Sequence, residues 1–195
     1  MPRINPEART KLVATAAHML RTRGMNATSI RELAKEASTP LGSTYHYFPE
    51  GKKQLISEAV AFAGDNVASL LDKALQGGTL AGVTSFLATW REVVESSQFR
   101  AGCPVVAVAM EQASSEDIEA AHKAAAKVFD QWCALLRASL ISDGIAEHKA
   151  SALATMIIAT AEGAIAMCRA KKSTKPLDEV FEQLSWLIKQ ALSSE

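Results

Sequence analysis

Aromatic side chains are scarce, 6% of the 195 residues, and no stretch keeps the strict apolar–polar alternation of a half-buried strand. With 48% hydrophobic residues, much of it alanine and leucine, the composition favours an all-helical protein over a sheet. Cysteine is rare too. Cys103, Cys133 and Cys168 lie far apart, with no CxxC pair and no histidine at metal spacing. That argues against a structural zinc or a disulfide framework and for small, buried apolar thiols. No Ser-His-Asp or Cys-His arrangement and no phosphate-cradling glycine loop is legible, and His18, His122 and His148 stand isolated. The chain therefore does not read as an enzyme, and no cofactor or metal is expected. The amino terminus, MPRINPEARTK, lacks the apolar core of a signal peptide, and the expected location is the cytoplasm. Residues 152–168, ALATMIIATAEGAIAMC, fall just short of a membrane span and contain Glu162, so a buried or subunit-interface helix is expected there and no membrane partner.

What is present is unevenly placed. Formal net charge is zero, yet residues 1–55 hold nine Lys/Arg against four Asp/Glu, and the remainder is correspondingly acidic. A basic head on an acidic body points to an anionic partner for the head alone. Pro6 suits a helix start, and Leu12, Ala16, Met19 and Leu20 recur with helical period up to Gly24. A short second helix begins at Thr28 or Ser29, either of which can cap it. Its inward stripe is Ile30, Leu33, Ala34 and Ala37, with Arg31 and Lys35 outside. Thr39 as cap and Pro40 at the first helical position start a third helix almost at once, which makes a helix-turn-helix. A long helix follows over about 52–75. Beyond the QGGT breaker, helices are expected at roughly 80–96, 104–112, 115–141, 146–170 and 177–193.

The stretch TPLGSTYHYFPEGKKQL, residues 39–55, gathers hydroxyls, aromatic rings and amines on one short turn. A core does not need the amines, and a solvated loop does not need the rings. Duplex DNA needs both donors and cations at fixed spacing. Tyr45, His46 and Tyr47 can donate to phosphate oxygens. Lys52 and Lys53 stand at a helix N-terminus whose dipole also attracts phosphate. Thr28, Ser29 and Arg31 form the opposite flank, and Pro40, Leu41, Gly42 and Ser43 are the part able to enter a groove. Phe48 and Leu55 read as core.

The segment from Gly24 to Leu55 resembles the DNA-binding domain of the TetR family of transcriptional repressors. The resemblance is carried by Gly24, Thr28, the Leu33–Ala34 pair, Gly42, Tyr45, Phe48, Lys52 or Lys53, and Leu55. The FPEGK run, Phe48 to Lys52, and the GCP triplet, Gly102 to Pro104, are similar to the LmrA/YxaF-like branch. Two positions depart from the pattern: Ser38 replaces the glycine usual in the turn, and Leu41 stands where that branch often has Arg or Lys.

The resemblance implies a helix-turn-helix domain over residues 1–51 and a larger helical ligand-binding and dimerisation domain over 52–195, about nine helices in all. It implies a homodimer held by the last two long helices, which presents two recognition helices to a palindromic double-stranded operator, and a small-molecule effector that releases it. Independently, residues 150–167, ASALATMIIATAEGAIAM, are rich in small side chains, and Val180, Leu184, Leu187, Ile188 and Leu192 form a stripe on the final helix. Large or soft residues that can wrap an apolar or aromatic effector are Phe86, Trp90, Val106, Met110, Phe129, Trp132 and Met156, with Glu162 a polar addition. The competing reading is a helical small-molecule or lipid-binding adaptor without DNA activity, indifferent to salt and to Lys52, Lys53 and Tyr45.

Overall fold

A computed structural model describes residues 5–112 and 115–193, and these form helices joined by short turns, with no strand among the described residues. In chain order they are α1 (Pro6–Arg23), α2 (Ile30–Glu36), α3 (Leu41–Tyr47), α4 (Lys52–Leu75), α5 (Thr79–Ser96), α6 (Pro104–Ala109), α7 (Glu116–Ser142), α8 (Glu147–Lys171) and α9 (Lys175–Ser193). The all-helical expectation holds. The chain forms two compact units, residues 1–65 with 103–128, and residues 66–102 with 129–195.

In the first unit, Asn5 caps α1 by accepting from the Glu7 and Ala8 amides, and Pro6 occupies the position where a missing N–H costs nothing. Gly24, at φ +80°, ends the helix and donates its amide to the Leu20 carbonyl. The inward face of α1, Leu12, Val13, Ala16, Ala17, Met19 and Leu20, is buried, as are Leu33 and Ala34 of α2 and Phe48, Leu55, Ile56, Ala59 and Val60. Arg9 ties α1 to α4. Its guanidinium lies 5.6 Å from the Phe48 ring centroid and 2.6 Å from Glu58, whose carboxylate also accepts from Gln54. Gly64 lets α4 and α7 cross closely, since a Cβ there would stand 2.4 Å from a Val128 methyl.

The second unit starts α5 by a device the sequence does not display. The Asp143 carboxylate, just past the end of α7, accepts the Thr79 amide at 2.8 Å, and the Thr79 and Ser139 hydroxyls lie 2.8 Å apart. A carboxylate at a helix N-terminus opposes the positive end of the dipole. Gly82 sits against Leu75 so tightly that a Cβ would be 2.5 Å from its Cδ2. Trp132 and Leu136 of α7, Ile157, Ala161 and Ile165 of α8, and Leu184 and Ile188 of α9 fill the core. Helix α8 is the one described helix long and apolar enough to cross a membrane, but it packs here on α5 and α9 with nine of its residues buried. Its outward face, Ala152, Thr155, Met156, Ala159, Gly163, Ala166, Met167 and Ala170, is exposed and carries no charge.

Candidate nucleic-acid interface

The second and third helices are set by a turn whose amides from Ala37 to Thr39 all donate back into α2. Ala37 ends α2, Ser38 takes the left-handed conformation at φ +52°, and the Ser38 and Thr39 amides donate to the Lys35 and Ala34 carbonyls. This is the Schellman arrangement, which glycine fits best. Ser38 fills it without glycine, so the turn keeps its geometry at a conformational cost of about 1 kcal/mol. Two expectations are corrected. Thr39 does not cap α3, because its hydroxyl turns back to the Ala37 carbonyl; and Pro40 is the residue before the helix rather than its first member.

Between Thr28 and Ser29 the cap is Ser29, whose hydroxyl accepts from the Glu32 amide at 3.2 Å. Thr28 is fully buried, its hydroxyl donating to the Gly24 carbonyl at 2.9 Å. The structure therefore removes the Thr28 side chain from the phosphate-facing set: a hydroxyl closed inside the turn braces α1 against α2 instead. Arg31 lies on the exposed side of α2.

Helix α3 turns one face inward through Thr44, whose hydroxyl bonds to the Pro40 carbonyl, and is anchored by the fully buried Phe48 that follows it. What remains outside is Pro40, Leu41, Gly42, Ser43, Tyr45 and His46, with Tyr47 half-buried. Tyr45 is 53% exposed, too open to be a core ring. Gly42 has open space where a Cβ would stand, so backbone is bared there. Gly51, at φ +68°, turns the chain so that Lys52 and Lys53 open α4, and among the described residues neither lysine is engaged in an ion pair. Within this unit, hydroxyls, an imidazole and two uncommitted amines thus share one short segment with bared backbone.

The GCP triplet also acquires a physical reason. Gly102 lies under the Arg169 side chain, where a Cβ would be 2.9 Å from a guanidinium nitrogen. Cys103 is buried and precedes α6, which Pro104 opens. The Arg21 guanidinium lies close enough to Cys103 to feel it; burial lowers its pKa, and Cys103 acts in the opposite sense. Burial likewise raises the thiols of Cys133 and Cys168, and the cysteines form no disulfide. No group of three metal-ligating side chains occurs among the described residues.

The effector candidates separate. Phe86, Trp90 and Trp132 are buried, Val106 and Phe129 half-buried, and Glu162 is buried within α8. Phe86 meets Trp90, and Phe129 meets Trp132, edge to face. Met110 is 81% and Met156 37% exposed: Met110 ends α6 on the surface, and Met156 falls on the outer face of α8. Two grooves described on the second unit run between α5 and α9, past Thr84, Leu87, Phe181 and Trp186, and touch none of the eight candidates. Helical period identified which faces are apolar but not what covers them.

Comparison with known proteins agrees with this geometry. Residues 12–59 match the family described as bacterial regulatory proteins, tetR family, and residues 79–183 match the C-terminal domain of LmrA/YxaF-like transcriptional regulators. An uncharacterized HTH-type transcriptional regulator of Mycobacterium tuberculosis is 39% identical over 183 residues, 92% of this chain and 93% of that protein. The HTH-type regulator YxaF of Bacillus subtilis is 30% identical over 94% of this chain and 96% of its own length. The crystal structure of a regulatory protein TetR from Rhodobacter sphaeroides superposes with a TM-score of 0.80 at 25% identity, covering 91% of this chain and 97% of that one. These relatives are transcriptional regulators, not enzymes. The chain belongs to the TetR family of DNA-binding transcriptional regulators, in its LmrA/YxaF-like branch.

Proposed function

We propose that the protein is a ligand-responsive repressor acting in the cytoplasm: a homodimer that occupies a palindromic operator and leaves it when a small apolar or aromatic effector binds. The observation that carries this reading is the exposed face of α3, with Tyr45 and His46 outside and Phe48 sealed inside, beside Lys52 and Lys53, which form no ion pair among the described residues. Tyr45, Tyr47, Lys52, Lys53 and the Ser29–Arg31 flank hold phosphates, and Pro40 to Ser43 enter the major groove. The uncharged outer face of α8 supports a twofold seam, because small side chains allow helices to approach closely. Half-buried Phe129 offers ring surface to an effector, and the buried Phe86, Trp90 and Trp132 become available to one only where the core opens to admit it.

Release requires only that the effector prefer the DNA-incompetent state by about 1–3 kcal/mol, a five- to 150-fold change in affinity. A ligand with equal affinity for both states releases nothing. The test is binding of purified protein to the DNA upstream of its own gene, with and without a panel of aromatic and aliphatic compounds. Affinity about a thousandfold above that for random duplex is expected, together with compounds that lower it. Equal affinity for both DNAs rejects the repressor reading.

A further inference from the structure

The surface α3 offers to a groove is chemically unusual. Bidentate discrimination of a base pair needs a guanidinium, an amide or a carboxylate, and residues 39–48, TPLGSTYHYF, contain none. Thr44 is buried, and its hydroxyl is committed to the Pro40 carbonyl. Ser43 and Tyr45 carry single hydroxyls, which suit phosphate as well as any base. Leu41 is different: a branched aliphatic side chain left 38% exposed at the outer end of a helix whose neighbours on that side are Pro40 and the bare Gly42. Its own unit leaves that part of the leucine uncovered among hydroxyls. One apolar group stands out in the major groove of duplex DNA, the 5-methyl of thymine.

We propose that Leu41 is a specificity-determining residue that recognises a thymine methyl in each half-site, so that this protein reads its operator by apolar contact where a direct guanidinium or amide pair is absent. The inference rests on the operator-binding reading above and names the chemistry by which α3 selects sequence. Pro40 shields the contact on one side, and the missing side chain at Gly42 lets the backbone come close enough for Leu41 to reach the base edge.

The experiment uses the full-length protein and a duplex recovered by selection from a randomised pool. Each thymine is replaced in turn by uracil, which deletes the methyl and leaves the Watson–Crick pairing intact. One symmetrical pair of thymines is expected to stand out. Each lost methyl–leucine contact lowers affinity about fourfold, and the pair about fifteenfold. At the same positions, 5-methylcytosine paired with guanine should bind better than cytosine paired with guanine. Leu41→Ala should bind the thymine duplex more weakly and respond equally to thymine and uracil. The exposed position leaves the fold intact, which the helical circular dichroism of the variant checks. If every thymine tolerates uracil, or if Leu41→Ala keeps the wild-type sensitivity, the assignment is overturned. Failure of the selection to enrich any sequence overturns instead the operator-binding reading on which it rests.

Discussion

Two residues show how closely backbone conformation is specified here. Ser38 holds a left-handed conformation in the α2–α3 turn, where its Cβ crowds the following carbonyl. Ser38→Gly removes that crowding, offset by the greater freedom glycine gives the unfolded chain. A net gain of about 0.5 kcal/mol is expected in urea unfolding, and a loss of stability would show that the Ser38 side chain contributes something the turn geometry does not reveal. Gly82 is the opposite case. It lies inside α5, where alanine is favoured by about 1 kcal/mol on helix propensity alone. Its Cβ would nevertheless stand 2.5 Å from Leu75 Cδ2 and 3.0 Å from Leu75 Cα, and a backbone atom cannot rotate away. Overpacking of this kind costs about 1–3 kcal/mol, so after the propensity gain Gly82→Ala is expected to lower stability by up to about 2 kcal/mol. A rise in the unfolding midpoint would refute that packing.

At the scale of elements, the proposed interface divides the work of holding DNA between α3 and the start of α4, and the division is measurable. Lys52 and Lys53 are there assigned to phosphate, which is the same in every sequence. Lys52→Ala with Lys53→Ala is therefore expected to weaken binding to operator and random duplex alike, and to flatten the dependence of log affinity on log salt by about 3.6 units, since the two heads of the dimer together lose four phosphate contacts. Replacements within α3 should instead change which sequence is preferred. A double lysine variant with an unchanged salt slope would take those side chains off the phosphates. Much of this arrangement was legible beforehand, because helix limits in this chain are written in local chemistry. Pro6, Gly24, Ser29 and Pro104 each mark a boundary through a fixed φ, a left-handed turn or a side-chain cap. Signals that depend on distant partners were not legible. The Asp143 cap on α5 comes from 64 residues away, and the closure of Thr28 within its own turn depends on how α1 leads into α2. Met110 and Met156 belong to the same class: hydropathy marks them as apolar, and only the three-dimensional packing shows Met110 largely open and Met156 on the outer face of α8.

For the whole molecule the proposed repressor makes the association of two copies the decisive quantity, since a single head would make half the phosphate contacts of a pair. On α8 the outer stripe from Ala152 to Ala170 is free of charge over its length, which a helix facing only water has no reason to maintain. Gly163 lies on that stripe, and the space where its Cβ would stand is open. Gly163→Glu therefore introduces no clash within the chain and replaces glycine by a better helix former. Placed in a twofold seam, the same change buries two like charges against each other without partners, a penalty of several kcal/mol. Sedimentation should show a wild-type dimer and a monomeric variant with retained helicity, and operator affinity should fall at least a hundredfold because the second half-site is lost. The variant separates seam from fold. If Gly163→Glu remains dimeric, the copies meet through another surface, and the uncharged face of α8 needs a different explanation; if it is monomeric yet binds operator as tightly as the wild type, twofold presentation of the heads is not what gives this protein its grip on DNA.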